Sequence, residues 1–233
     1  RSMIALERGL ESDARAMSDR RGHAVGEDRI ERVQGRSGLG DEQQEALAHL
    51  LQRGDLSLLM GYAGTGKSRL LKAAAEGWLE AGYRVRGAAL SGKAAEGLQD
   101  ASKIPSRTLA SWEFAWKQDR DKLEAGDVLV IDEAAMVGSR QMSRVLSAAK
   151  AAGSKVVLVG DAEQLQAIEA GAVFRALSQR HDVVTLTHVV RQRAGWMREA
   201  TQELATERTT EAIERYARAG RVVESATTDL AIE

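Results

Sequence analysis

Two short runs, Val128-Leu129-Val130-Ile131 and Val156-Val157-Leu158-Val159, constrain the fold more than anything else in the sequence. Neither contains a polar residue, so neither can present a face to water, and strands of this kind have to be covered on both sides. Each is followed by apolar residues at helical spacing, over 139–152 and 171–179. The same alternation runs through the rest of the chain. Leu56-Ser57-Leu58-Leu59-Met60 leads into a glycine-rich turn and a helical pattern over 67–81, marked by Leu70, Leu71, Ala74, Trp78 and Leu79. Tyr83–Leu90 alternates as a strand before a helix from Lys93 to about Asp100, and Val183–Leu186 is a last short strand. Strands alternating with helices predict an α/β fold, a parallel sheet with helices on both faces.

The ends of the chain differ from this middle. Residues 1–36 are mostly charged, with Met3, Leu6 and Leu10 spaced for a helix, and predict one or two solvated helices as a leading arm. Gly35-Arg36-Ser37-Gly38-Leu39-Gly40 has the composition of a linker. Asp41 then opens a helix in which Ala46, Leu47, Leu50 and Leu51 keep their spacing to about residue 52. From Trp196 to about Ala219 the sequence is charged and helical. The expected organisation is an arm over 1–38, one α/β domain over 39–194 and a helical connector over 195–233.

Composition removes several classes of chemistry. With 233 residues and no cysteine, disulfides, thiolate nucleophiles and Cys-ligated zinc are excluded. The histidines His23, His49, His181 and His188 form no ligand pair at helix or hairpin spacing, which argues against a metal site built from side chains alone. The net charge of −1 carries no basic excess of the kind that announces nucleic-acid binding. No apolar run reaches the roughly 18–20 residues needed to span a bilayer, so a cytoplasmic protein without membrane insertion is expected.

The chemistry begins at Gly61-Tyr62-Ala63-Gly64-Thr65-Gly66-Lys67-Ser68, which fits the pattern GxxxxGK[ST] between a predicted strand and a predicted helix. In that setting the backbone around Gly61, Gly64, Thr65 and Gly66 surrounds phosphate oxygens. Lys67 places a charge between the β- and γ-phosphates, and the Ser68 hydroxyl faces Mg²⁺. Asp132-Glu133 ends the strand Val128–Ile131, at the edge where open α/β sheets bind ligands. An acidic pair there is often no more than a solvated cap. Beside a phosphate site, Asp132 suits the magnesium shell and Glu133 suits polarisation of an attacking water. Gly160-Asp161-Ala162-Glu163-Gln164-Leu165 follows the next strand; Gln164 can bond both a phosphate oxygen and that water, or the segment is a polar turn capped by Asp161. Arg191 follows the last strand and can stabilise transition-state charge, although alone it would read as a surface arginine.

In order and spacing these segments resemble motifs I to IV of superfamily 1 DNA helicases, specifically the RecD-like branch. Within that branch they look most like the helicase portion of TraA-type conjugative relaxases. Leu39-x-x-x-Gln43 resembles the Q motif, whose glutamine contacts adenine, although Gly40 stands where Thr is usual. Ser91, Lys93 and Ala94 resemble motif Ia, which lies along single-stranded DNA, and Thr108-Leu109-Ala110 resembles the DNA-contact motif after it. Gln166 replaces a common proline, and nothing after Arg191 resembles motifs V and VI. The resemblance implies a RecA-like motor domain that binds ATP and Mg²⁺ and moves along single-stranded DNA in conjugative plasmid transfer. It implies as partners a second RecA-like domain and a relaxase domain in the same full-length polypeptide. Trp112 and Trp116, i and i+4, fit a buried helix face better than a base-stacking platform. A P-loop kinase, a GTPase (for which no Asn-Lys-x-Asp motif is present) and a nucleotide-binding regulatory fragment are the rival classes.

Overall fold

A computed structural model of the chain describes residues 3–52, 54–161, 172–188, 199–200, 203–204 and 208–222. Six strands form one sheet: β1 (Leu56–Gly61), β2 (Arg84–Ala89), β3 (Ser106–Thr108), β4 (Asp127–Ile131), β5 (Lys155–Gly160) and β6 (Val183–Leu186). All pairings are parallel, in the order β3-β2-β4-β5-β1-β6. The helices are α1 (Met3–Ser18), α2 (Glu27–Ser37), α3 (Asp41–Gln52), α4 (Lys67–Glu80), α5 (Gly92–Ser102), α6 (Leu109–Lys117), α7 (Ser139–Ala152), α8 (Ala172–Arg180) and α9 (Thr209–Arg218). The described residues fall into two compact units, one from Arg1–Tyr62 with Lys67–Leu186, the other from Ala63–Gly66 with Thr187–Glu233. In the second unit, Arg215 on α9 donates from Nε to both carboxylate oxygens of Glu203 at 2.8 Å and pairs with Glu199. No helix among the described residues is long and apolar enough to cross a membrane.

Within the first unit, the two predicted runs do what their composition requires. Leu129, Ile131, Val156 and Leu158 face a cluster built with α1, α6, α7 and α8. Their neighbours Val128, Val130, Val157 and Val159 face a second cluster built with α2, α3, α4 and α5. All eight are completely buried. This alternation, with a strand period of two and a layer on each side, is the α/β parallel sheet that the sequence predicts.

Two elements depart from the expectations. β3 has only three residues, Ser106–Thr108, and pairs at the sheet edge with Gly87–Ala89; a run so short, directly after Pro105, carries no period. The leading arm is not simply solvated. Leu10, Ala14 and Met17 of α1 are buried in the first cluster, and Ile30 and Val33 of α2 in the second. α2 also continues through the presumed linker to Ser37 and ends on Gly38 in the left-handed region, φ 61°.

A polar cluster below the sheet secures the arm. Gly54 passes so close to the end of α1 that a Cβ there would lie 2.1 Å from the Ser18 carbonyl oxygen. The Asp55 N–H donates to the carbonyls of Met17 and Arg20, and its carboxylate meets His23 Nδ1 at 2.9 Å. Beside it, the fully buried Lys155 donates to the Gly54 carbonyl at 2.7 Å and to Ser57 Oγ at 3.1 Å. Burial lowers the Lys155 ammonium to about pKa 7, against an opposing pull from Asp55. Between about pH 7 and the ordinary lysine value the unfolded chain therefore holds a proton that the folded chain has released, so stability rises with pH in that window. Denaturant titrations should show this rise, at most about 1.4 kcal/mol per pH unit, in the wild type and its loss in Lys155→Met. An identical slope in both proteins would contradict it. Gly54→Ala should be destabilising, because the clash is with backbone.

Candidate functional site

The register brings the carboxyl ends of β1, β5 and β4 side by side. Met60 pairs with Gly160, and Ile131 with Leu158. Gly61 and Asp161 thus leave adjacent strands at the same level, and Asp132 leaves the strand beyond. The turn of residues 63–66 joins β1 to α4, with Gly64 at φ 82° and Gly66 at φ 83°, values that residues bearing a Cβ rarely adopt. Thr65 is buried, and Ser68 is exposed on the first turn of α4.

Lys67 opens α4. Its ammonium donates to the Gly61 carbonyl at 2.5 Å and the Tyr62 carbonyl at 3.1 Å, and lies 3.7 Å from Asp161 Oδ2. Asp132 is half-buried; its N–H donates to the Ala88 carbonyl, and its Oδ1 accepts from the Glu133 N–H at 2.9 Å. Burial pushes the Asp132 carboxyl above the ordinary range, while the Glu133 N–H and the Lys67 charge pull it back. Glu133 has φ 52° and ψ 35°, a left-handed conformation costly for a side chain of its size, and leads into the short turn Ala134–Met136.

Farther along the same edge, two helices start side by side. Ser91 caps α5 by accepting from the Ala94 N–H at 3.1 Å, and Thr108 caps α6 by accepting from the Ser111 N–H at 3.1 Å. Thr108 is the register partner of Ala89, two residues before Ser91. Lys93 is exposed in the first turn of α5. Trp112 is buried, donates from Nε1 to the Gly87 carbonyl at 2.9 Å and has the Arg107 guanidinium 4.6 Å from its ring centre. It is a core residue. Trp116 is half-buried, and Phe114 alone of this aromatic group is largely exposed.

Gln43 is buried on α3 and accepts from the Gly40 N–H through Oε1 at 3.3 Å. Arg69, which the sequence did not single out, donates to the carbonyls of Ser37 and Gly38 and so ties the first turn of α4 to the segment leading to Gln43. The structure thus gathers Lys67 and Asp132 at one point, with Glu133 next in the chain, and sets Ser91, Lys93 and Thr108 along the same edge. Gln164 and Arg191 lie outside the described residues.

Comparison with known proteins gives the chain a family. Residues 38–227 match a family described as an AAA domain. The "Probable conjugal transfer protein TraA" of Sinorhizobium fredii is 44% identical over 226 residues, covering 97% of this chain and 20% of that protein. The "ATP-dependent RecD2 DNA helicase" of Deinococcus radiodurans is 34% identical over 163 residues, covering 68% of this chain and 22% of that protein. The chain thus spans about a fifth of the length of the curated relatives it matches. The crystal structure of the Pif1 helicase from Candida albicans superposes with a TM-score of 0.54 at 20% identity, covering 80% of this chain and 49% of that one. That likeness shows the fold, an α/β RecA-like sheet. Since the family match takes in most of the sequence, the chain belongs to the AAA domain family, as a helicase-like P-loop NTPase domain related to TraA and RecD proteins.

Proposed function

We propose that this chain is the first motor domain of a DNA helicase that hydrolyses ATP with Mg²⁺ to move along single-stranded DNA in conjugative plasmid transfer. Residues 39–194 form the motor, 1–38 its leading arm and 195–233 a connector to a second RecA-like domain of the full-length protein, which also carries a relaxase domain. The observation that carries this reading is the convergence of Lys67 with Asp132 at the carboxyl edge, where α/β sheets bind ligands. A Lys ammonium at the start of a helix favours phosphate both by its charge and by the helix dipole.

The residues fit a magnesium nucleotide. Ser68 and Asp132 offer the hard oxygen donors that Mg²⁺ takes, and the burial of Asp132 is only partly offset by Lys67 and the Glu133 N–H. Bound there, the ion would neutralise phosphate charge. Lys67 would hold the β- and γ-phosphates. The bent backbone at Glu133 would aim its carboxylate at a water, whose proton it would accept. Gln164 would bond that water and Arg191 would steady the developing charge, while Gln43 would contact adenine. Ser91, Lys93 and Thr108 would follow the phosphates of single-stranded DNA along the edge.

In a protein extended through the second domain, Lys67→Ala should abolish nucleotide binding. Glu133→Gln should retain binding and lose turnover by about 10²-fold or more. Turnover equal to wild type in both variants would end the catalytic assignment. Lys93→Ala should weaken single-stranded DNA binding and reduce the slope of log affinity against log salt by about 0.7, the share of one phosphate contact. An unchanged slope would remove Lys93 from the DNA path.

A further inference from the structure

Lys67 is already engaged before any phosphate arrives. Its ammonium is held between two carbonyls at the end of β1 and the carboxylate of Asp161, 3.7 Å away on the neighbouring strand end. Both side chains are about four-fifths buried, at 19% and 20% exposure, so water screens the pair only in part. The pairing follows from the sheet: β5 lies between β1 and β4, and its register sets Asp161 level with Gly61. Asp132 acts on the same ammonium from the β4 side, with Glu133 beside it. Lys67 therefore stands near two carboxylates, Asp161 and Asp132. A polyanion that arrives without a cation meets a site already supplied with negative charge.

We propose that Asp161 is a positioning residue that acts as a displaceable counter-ion: it holds Lys67 against the end of β1 until a phosphate takes its place, and it thereby makes the site discriminate against metal-free nucleotide. This rests on the nucleotide reading above and adds to it a determinant of ligand charge. A metal-bound triphosphate brings less negative charge past Asp161 than the free one, so the carboxylate penalises the free form more. Asp161 would touch neither the nucleotide nor the reacting atoms.

Binding of a fluorescent non-hydrolysable ATP analogue to the full chain tests this, measured with Mg²⁺ and with excess EDTA. Asp161→Asn, nearly isosteric, should bind the analogue more tightly in EDTA by about three- to tenfold, the scale of one partly screened charge pair, with a smaller gain in Mg²⁺. Asp161→Glu keeps the charge and should retain most of the wild-type preference for the metal-bound form. Unchanged or weaker binding of Asp161→Asn in EDTA would overturn the proposal. So would a loss confined to Mg²⁺, which would make Asp161 part of the metal shell. If wild type and Lys67→Ala bind equally in Mg²⁺, the nucleotide reading itself fails, an outcome distinct from normal wild-type binding that Asp161→Asn leaves unaltered.

Discussion

The constraint on which the rest of the structure depends is the burial of β1, β4 and β5 on both faces. A strand covered by helices on each side has no room for an unpaired polar side chain along its length, because burial without a partner costs more than a hydrogen bond returns. Polar groups therefore come to the two edges. The amino edge collects Asp55, Lys155 and Asp127, all buried and all paired. The carboxyl edge collects Lys67, Asp132 and Asp161, which remain partly open. One edge fastens the sheet, and the other carries the candidate site.

The partners of these groups differ accordingly. At the amino edge each charge is committed to the protein. Lys155 donates to a carbonyl and a hydroxyl, and Asp127 is held by Arg84 and Arg86. At the carboxyl edge the balance is provisional: the half-buried Asp132 has its ionised form only partly supported, and Glu133 sits in a backbone conformation that costs energy. Strain and incomplete compensation at a strand end, next to an ammonium at a helix start, single out this edge as the candidate site.

Much of this was legible in the sequence, for physical reasons. Val128–Ile131 and Val156–Val159 could only be strands covered on both sides, and the turn around Gly64 and Gly66 needed residues free to take positive φ. The GxxxxGK[ST] pattern put Lys67 at the start of a helix, and the strand Val128–Ile131 put Asp132 at the carboxyl edge, the positions both residues take in the structure. What escaped depends on register and tertiary distance. The strand Ser106–Thr108 is too short for a pattern, and the buried face of α1 is diluted by charged residues that stay in water. The part played by Asp161 appears only once β5 is known to lie between β1 and β4. Arg69 is likewise silent in sequence, since its partners are carbonyls more than thirty positions away.

The most direct measurement is a crystal structure of the chain with a non-hydrolysable ATP analogue and Mg²⁺. The account predicts the triphosphate against Lys67, the ion between Ser68 and Asp132, and the ammonium drawn away from Asp161. An analogue bound elsewhere, or one bound while Lys67 still rests on the Gly61 and Tyr62 carbonyls beside Asp161, would contradict it.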